Sequence, residues 1–133
     1  LKYLLDTNIV SAVRKKKAEP KVVTWVNSIS SEHLFISVIT IGEIKRGIEK
    51  VKDTKKQAEL TLWLDQELRP WFGENILTID LEIAEKWGQI TSSPTLPAID
   101  SLIAATALAK NLTLVTRNSS DFSIPGLRVF NPY

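Results

Sequence analysis

Residues 97–116 read PAIDSLIAATALAKNLTLVT, and this stretch decides the architecture. Ala98 to Lys110 is the best helix candidate in the chain, rich in Ala and Leu, which lose little on entering a helix. Leu112 to Thr116 follows at once as a short apolar, β-branched run and reads as a strand. A second strand is expected at Leu127 to Phe130, after a polar turn holding Asn118, Ser119, Ser120 and Asp121.

Upstream the same alternation recurs. Leu1 to Leu5 reads as a buried strand ending at Asp6, with a short helix from about Asn8. Pro20 suits the first turn of the next helix, whose apolar face is Val22, Val23, Val26 and Ile29. Leu34 to Ile39 predicts another strand. Ile41, Ile44, Ile48 and Val51 mark a helix, and Leu60, Trp63, Leu64, Leu68 and Trp71 mark a longer one expected to stop near Pro70. Ile76 to Ile79 predicts a further strand, and Ile83, Ala84, Trp87 and Ile90 a helical stripe closed by a Ser/Thr/Pro-rich loop at Thr91 to Pro97. Strands alternating with helices predict an α/β fold of three layers, a mainly parallel sheet of about five strands with helices on both faces. With 133 residues and 44% apolar content, one domain over 1–133 is expected.

Composition removes several functions. The absence of cysteine excludes disulfides, thiolate metal sites and a cysteine nucleophile. The single histidine, His33, stands without a Ser-His-Asp context, and no Gly-rich phosphate loop is present. No apolar run approaches a membrane span and no signal-like N-terminal stretch is readable, so a cytoplasmic location and no membrane partner are expected. The net charge is only +2, but basic residues clump at Arg14 to Lys17 and from Lys45 to Lys56, which hints at nucleic acid. Solvated helix faces would explain the same clumps.

In a parallel sheet, ligands bind beyond the carboxyl ends of the strands. Asp6 follows the first strand, Glu43 lies in the first turn after the second, Asp100 lies in the first turn of its helix, and Asn118 and Asp121 follow the fourth strand. All map to one edge. Gathered carboxylates repel by up to about 4 kcal/mol per pair at 4 Å with an effective dielectric near 20, so such a cluster needs a counter-ion. Oxygen ligands without His or Cys suit Mg²⁺ or Mn²⁺, and phosphodiester hydrolysis is the matching chemistry. Each acid also has a structural explanation. Thr40 to Glu43 fits a capping box, Asp6 fits a helix N-cap, Asp100 suits the positive end of a helix dipole, and Asp121 is an ordinary turn residue.

The ordered segments resemble the PIN-domain family along the whole chain. LLDTN at Leu4 to Asn8 is similar to its opening motif, SVITIGEIKRG at Ser37 to Gly47 to the second, and PAIDSLIAATAL at Pro97 to Leu108 to the third. LVTRNSSDF at Leu114 to Phe122, followed by VFNP at Val129 to Pro132, resembles the closing segment of the VapC and FitB-like branch. The resemblance implies a Mg²⁺- or Mn²⁺-dependent endoribonuclease, the toxin of a VapBC-like toxin-antitoxin pair. Asp6, Glu43 and Asp100 are then metal ligands, with Asp121 as a further catalytic acid and Asn8, Thr116 and Asn118 in support. Arg14, Lys15 and Arg46 would meet RNA. A homodimer is implied, or a heterotetramer or larger assembly with a cognate antitoxin that covers the active site. Asn118 stands where some relatives carry an aspartate, and the Thr91 to Pro97 connection is shorter than in many.

Two rival readings are weaker. A receiver-like regulatory domain would use Asp80 but needs a Lys where Arg117 follows the Leu112 to Thr116 strand. A catalytically silent PIN-like module that binds RNA or protein would have no need of the acids.

Overall fold

The computed structural model describes residues 1–15, 18–93 and 96–133. Lys16 and Lys17 of the first basic clump, and Pro94 and Thr95 of the loop before the last long helix, lie outside the described residues. The elements run β1 (Tyr3–Leu5), α1 (Thr7–Arg14), α2 (Pro20–Asn27), β2 (Leu34–Ser37), α3 (Val38–Glu49), α4 (Thr54–Trp63), α5 (Arg69–Phe72), β3 (Ile76–Leu77), α6 (Leu81–Ile90), α7 (Ala98–Ala109), β4 (Thr113–Val115) and β5 (Val129–Phe130). The strands form one parallel sheet in the order β3-β2-β1-β4-β5. The expected three-layer α/β architecture is therefore present. Among the described residues no helix is long and apolar enough to cross a membrane.

Alternation along β1 divides the core between the two faces of the sheet. Leu5 points to one face, where Ile9, Val10, Val22, Val26, Ile36 and Val115 are buried under α1, α2, α3 and the α4–α5 arm. Leu4 points to the other, where Ile103, Ala104 and Ala107 of α7 meet Leu112 and Leu114. Fully burying each of these Leu, Ile or Val side chains contributes roughly 1.5–3 kcal/mol. α7 is buried nearly all round, Ser101, Ala105 and Thr106 included, because α6 covers the side that the sheet does not.

Several boundaries differ from expectation for local reasons. The strand expected from Leu34 to Ile39 ends at Ser37, because the Ser37 hydroxyl accepts the Ile39 N–H at 3.0 Å and starts α3 there. Ser37 is thus the N-cap, and Thr40 to Glu43 is not a capping box. Pro70 does not stop its helix. A π-helical turn at Leu64–Leu68, in which the Arg69 N–H bonds to the Leu64 carbonyl, widens the backbone just ahead of the proline. The chain then continues helically to Phe72 and turns at Gly73, whose φ of 48° favours glycine. The α6 stripe is only partly inward. Ile83 is fully buried, Ala84 is exposed, and Trp87 lies half-exposed along the seam with α7, where its indole N–H bonds to the buried Ser101 hydroxyl at 2.9 Å.

Candidate active site

The site forms where β1, β2 and β4 release their chains. Asp6, the residue after β1, is buried, and both of its carboxylate oxygens are held. Oδ1 accepts the Thr7 N–H at 2.8 Å, which caps α1, and Oδ2 accepts the Thr116 hydroxyl at 2.8 Å. Thr116 follows β4 directly, and its own oxygen accepts the Asn118 N–H at 3.1 Å. The expected N-cap role of Asp6 is real, yet it occupies one oxygen only.

Glu43 stands on α3, half-buried, and reaches the β1 side of the site. The Thr7 hydroxyl lies 2.5 Å from Glu43 Oε1 and 3.2 Å from the Thr40 hydroxyl. Arg46, one turn on, approaches Glu43 Oε2 at 4.0 Å and is largely exposed. Asp100 stands in the first turn of α7, which begins after Pro97, where the helix dipole favours a negative charge. Burial pushes the Asp100 carboxyl above the ordinary aspartate range, and the neighbouring charges of Asp6, Glu43 and Asp121 push it the same way. Four acids drawn from four segments therefore share one electrostatic field. Among the described residues, no three of them already surround a single point closely enough to hold an ion.

The other expected site residues separate into two groups. Asn118 precedes and Asp121 ends the 3-10 turn Ser119–Asp121; both are exposed, and the Asp121 charge bears on Asp100. The Asn8 side chain accepts the Arg117 N–H at 3.3 Å, so it fastens the end of β4. Arg14 and Lys15 lie at the far end of α1, about 12 Å along the helix from the Asp6 cap. Arg14 sits 5.9 Å from the Trp63 ring centroid and lines a cavity of about 600 Å³ with Val13, Trp63, Leu68 and Trp71. The structure does not bring these two cations to the acids. Thr7, which bonds to both Asp6 and Glu43, carries no signal in the sequence beyond its place beside Asp6.

The fold and this edge of carboxylates match a known family. A family model described as PIN domain matches residues 3–124. This chain belongs to the PIN-domain family. Toxin FitB of Neisseria gonorrhoeae is 34% identical over 98% of this chain and 97% of its own length. A crystal structure of FitAcB from the same organism superposes with a TM-score of 0.90, at 34% identity, covering 98% of this chain and 97% of that one. VapC ribonuclease Y4jK of Sinorhizobium fredii is 29% identical over 98% of this chain and 96% of its own. A toxin-antitoxin complex from Klebsiella pneumoniae shares the fold with a TM-score of 0.73, at 28% identity over 98% of each chain. The PIN-like expectation holds for the fold and the family alike, and the receiver-like reading falls away. Asp80 instead caps α6 through the Ile83 N–H at 2.9 Å and pairs with Lys110.

Proposed function

We propose that this PIN domain, one domain over 1–133, is a metal-dependent endoribonuclease acting as the toxin of a VapBC-like toxin-antitoxin pair. The observation that carries the reading is the field around Asp100. The charges of Asp6, Glu43 and Asp121 all bear on it, and among the described residues the one ion pair to any of the four acids is Arg46 with Glu43, at 4.0 Å. Hard oxygen donors crowded without sufficient positive charge fit Mg²⁺ or Mn²⁺. Mg²⁺ usually takes one or two carboxylates and keeps several waters, so a fully closed cage of protein ligands is not required.

Asp6, Glu43 and Asp100 would hold the metal, with Asp121 as the further catalytic acid and Asn118 beside it. Bound there, Mg²⁺ or Mn²⁺ would supply an activated water and neutralise charge developing on an RNA phosphate. The chain's own residues provide order. Thr116 and the Thr7 N–H fix the Asp6 carboxylate, so little rotamer entropy remains to be lost when a ligand arrives. The Thr7 hydroxyl directs one oxygen of Glu43 and leaves Oε2 on the Arg46 side. Arg46 is exposed and positioned to meet a phosphate.

The names of similar proteins support the biological half of the reading: a toxin, a ribonuclease, and a chain held in a toxin-antitoxin complex. The partners proposed are an RNA substrate, a cognate antitoxin and a second copy of this chain. The test is cleavage of a mixed cellular RNA pool by purified protein with Mg²⁺, with Mn²⁺ and with EDTA, alongside Asp100→Asn. Discrete metal-dependent products, lost in the variant, are expected. No cleavage by folded, antitoxin-free protein in either metal would replace this reading with a silent RNA- or protein-binding module.

A further inference from the structure

Beyond the acids, the same sheet edge carries Arg117, whose backbone is fastened on both sides and whose guanidinium lies over a ring. The Arg117 N–H bonds to Asn8 Oδ1 at 3.3 Å, its carbonyl accepts the Asn131 side-chain amide at 3.1 Å, and its guanidinium lies 5.2 Å from the Tyr133 ring centroid. Tyr133 is anchored in turn, its N–H bonding to Asn131 Oδ1 at 2.9 Å. Among the described residues no carboxylate forms an ion pair with Arg117, and the residue is exposed. A guanidinium ordered on a ring and left without an anion is prepared for one from outside.

Asn131 also lines an open pocket of about 700 Å³, together with Lys21, Thr24, Trp25, Phe130 and Pro132. Its walls are aromatic. Trp25 and Phe130 lie with ring centroids 5.0 Å apart, and Tyr3 braces Trp25 edge-on at 5.1 Å. Phe130 remains 38% exposed although it sits in a strand. The lining contains a lysine and no acid, and the nearby Glu19 is felt by Tyr133. Phe130 pairs with Val115, which pairs with Leu5, the residue before Asp6, so two strand spacings, roughly 10 Å, lie between the Phe130 and Leu5 backbones.

We propose that Arg117 and the Trp25–Phe130 pocket form a subsite for one nucleotide flanking the scissile phosphate of a single-stranded RNA. Arg117 takes a phosphate, and the unpaired base lies against Trp25 and Phe130 with Lys21 at the rim. The inference rests on the ribonuclease reading. A polyanion carrying flat apolar groups matches both halves of the surface, and only unpaired bases present their faces to such walls. An apolar peptide would match the pocket but would leave Arg117 without a role.

The experiment is fluorescence anisotropy with a short labelled single-stranded oligoribonucleotide of mixed sequence, in EDTA across a salt series, followed by cleavage kinetics in Mg²⁺. Arg117→Gln is expected to weaken binding about 10-fold and to lower the salt slope by about 1. Phe130→Leu, which keeps an apolar side chain but removes the ring, is expected to weaken binding about 10-fold with the slope unchanged. Both should raise KM more than they lower kcat. Unchanged RNA affinity in both folded variants would overturn the subsite, as would weakened antitoxin capture with RNA binding intact. Failure of the wild-type protein to cut RNA would strike the underlying reading instead, while the binding series in EDTA would still decide the subsite.

Discussion

The Thr7 hydroxyl donates to Glu43 Oε1 at 2.5 Å across a separation of 36 residues, joining the start of α1 to the first half of α3. Under the proposed function Thr7 would act as a positioning residue, through the acid that it orients. Thr7→Val keeps the shape and removes the donor. A hydrogen bond to a charged group is worth about 1.5–3 kcal/mol, so kcat/KM should fall roughly 10- to 100-fold. Thr7→Ser should restore most of it, and calorimetric Mn²⁺ affinity should follow the same order. Equal activity in Thr7→Val and Thr7→Ser would remove the role.

Asp100 is destabilised as an anion by burial and by its acidic neighbours. With the folded pKa raised, its contribution to stability is highest when protonated and declines as pH rises from 3.8 through the folded value, so the metal-free protein carries the penalty at neutral pH. Asp100→Asn should therefore raise the Tm of metal-free protein at pH 7 by a few degrees, a modest gain because solvent screens the half-buried group. The same variant should lose cleavage and the Mg²⁺-induced rise in Tm. Scanning calorimetry of both proteins in EDTA and in Mg²⁺ gives the four values needed, and a destabilised Asn variant in EDTA would contradict the argument.

Thr116 is fully buried and serves two partners, the Asp6 carboxylate and the Asn118 N–H. Thr116→Val leaves both without their partner at almost no change in volume. The expected cost is about 1–3 kcal/mol in urea unfolding, with a loss of Mn²⁺ affinity because Asp6 is freed. Lost activity at unchanged stability and unchanged metal affinity would show that the hydroxyl acts elsewhere.

Lys110, at the end of α7, bonds to Asp80 at 2.6 Å and Glu82 at 3.0 Å at the start of α6. The Asp80 carboxyl is held below its ordinary value, first by the hydrogen bond from Lys110, and the Lys110 ammonium is held above its own, first by Asp80. Asp80 therefore contributes stability that is present above pH 3.8 and lost as pH falls through its lower folded value. Lys110 contributes stability that is present below pH 10.5 and lost as pH rises through its higher folded value. Lys110→Met should lower Tm slightly between those limits and converge with wild type beyond each. A Tm difference that does not vary with pH would assign the effect to packing.

Much of this fold was legible because its elements obey local rules. The apolar run of β1, the Pro-opened α2 and the Ala-rich α7 are each specified within a dozen residues, and most element positions follow from them. Where expectation failed, a neighbour decided. Pro70 is tolerated because the backbone widens one turn earlier, and Trp87 lies across the seam with α7, half-exposed, because its indole N–H reaches the buried Ser101 hydroxyl. Arg14 stands in a basic clump in the sequence, and helical rise carries it to the far end of α1 and onto Trp63, away from the acids.

By itself the sequence determined the alternation of strands and helices and the placement of Asp6, Asp100 and Asp121 at the ends or starts of elements, whereas Glu43, expected in the first turn after the second strand, lies in the second turn of α3. These are short-range facts, written in periodicity and turn chemistry. Only the tertiary structure decided that β1 lies between β2 and β4, which seats Asp6 against Thr116 and Glu43 against Thr7. It also decided that β5 closes beside β4, which brings Asn131 to Arg117 and Phe130 to Trp25. Strand order is a choice among packings of the same amphipathic elements. It is set by how all the buried faces fit together, and no local stretch of chain encodes it.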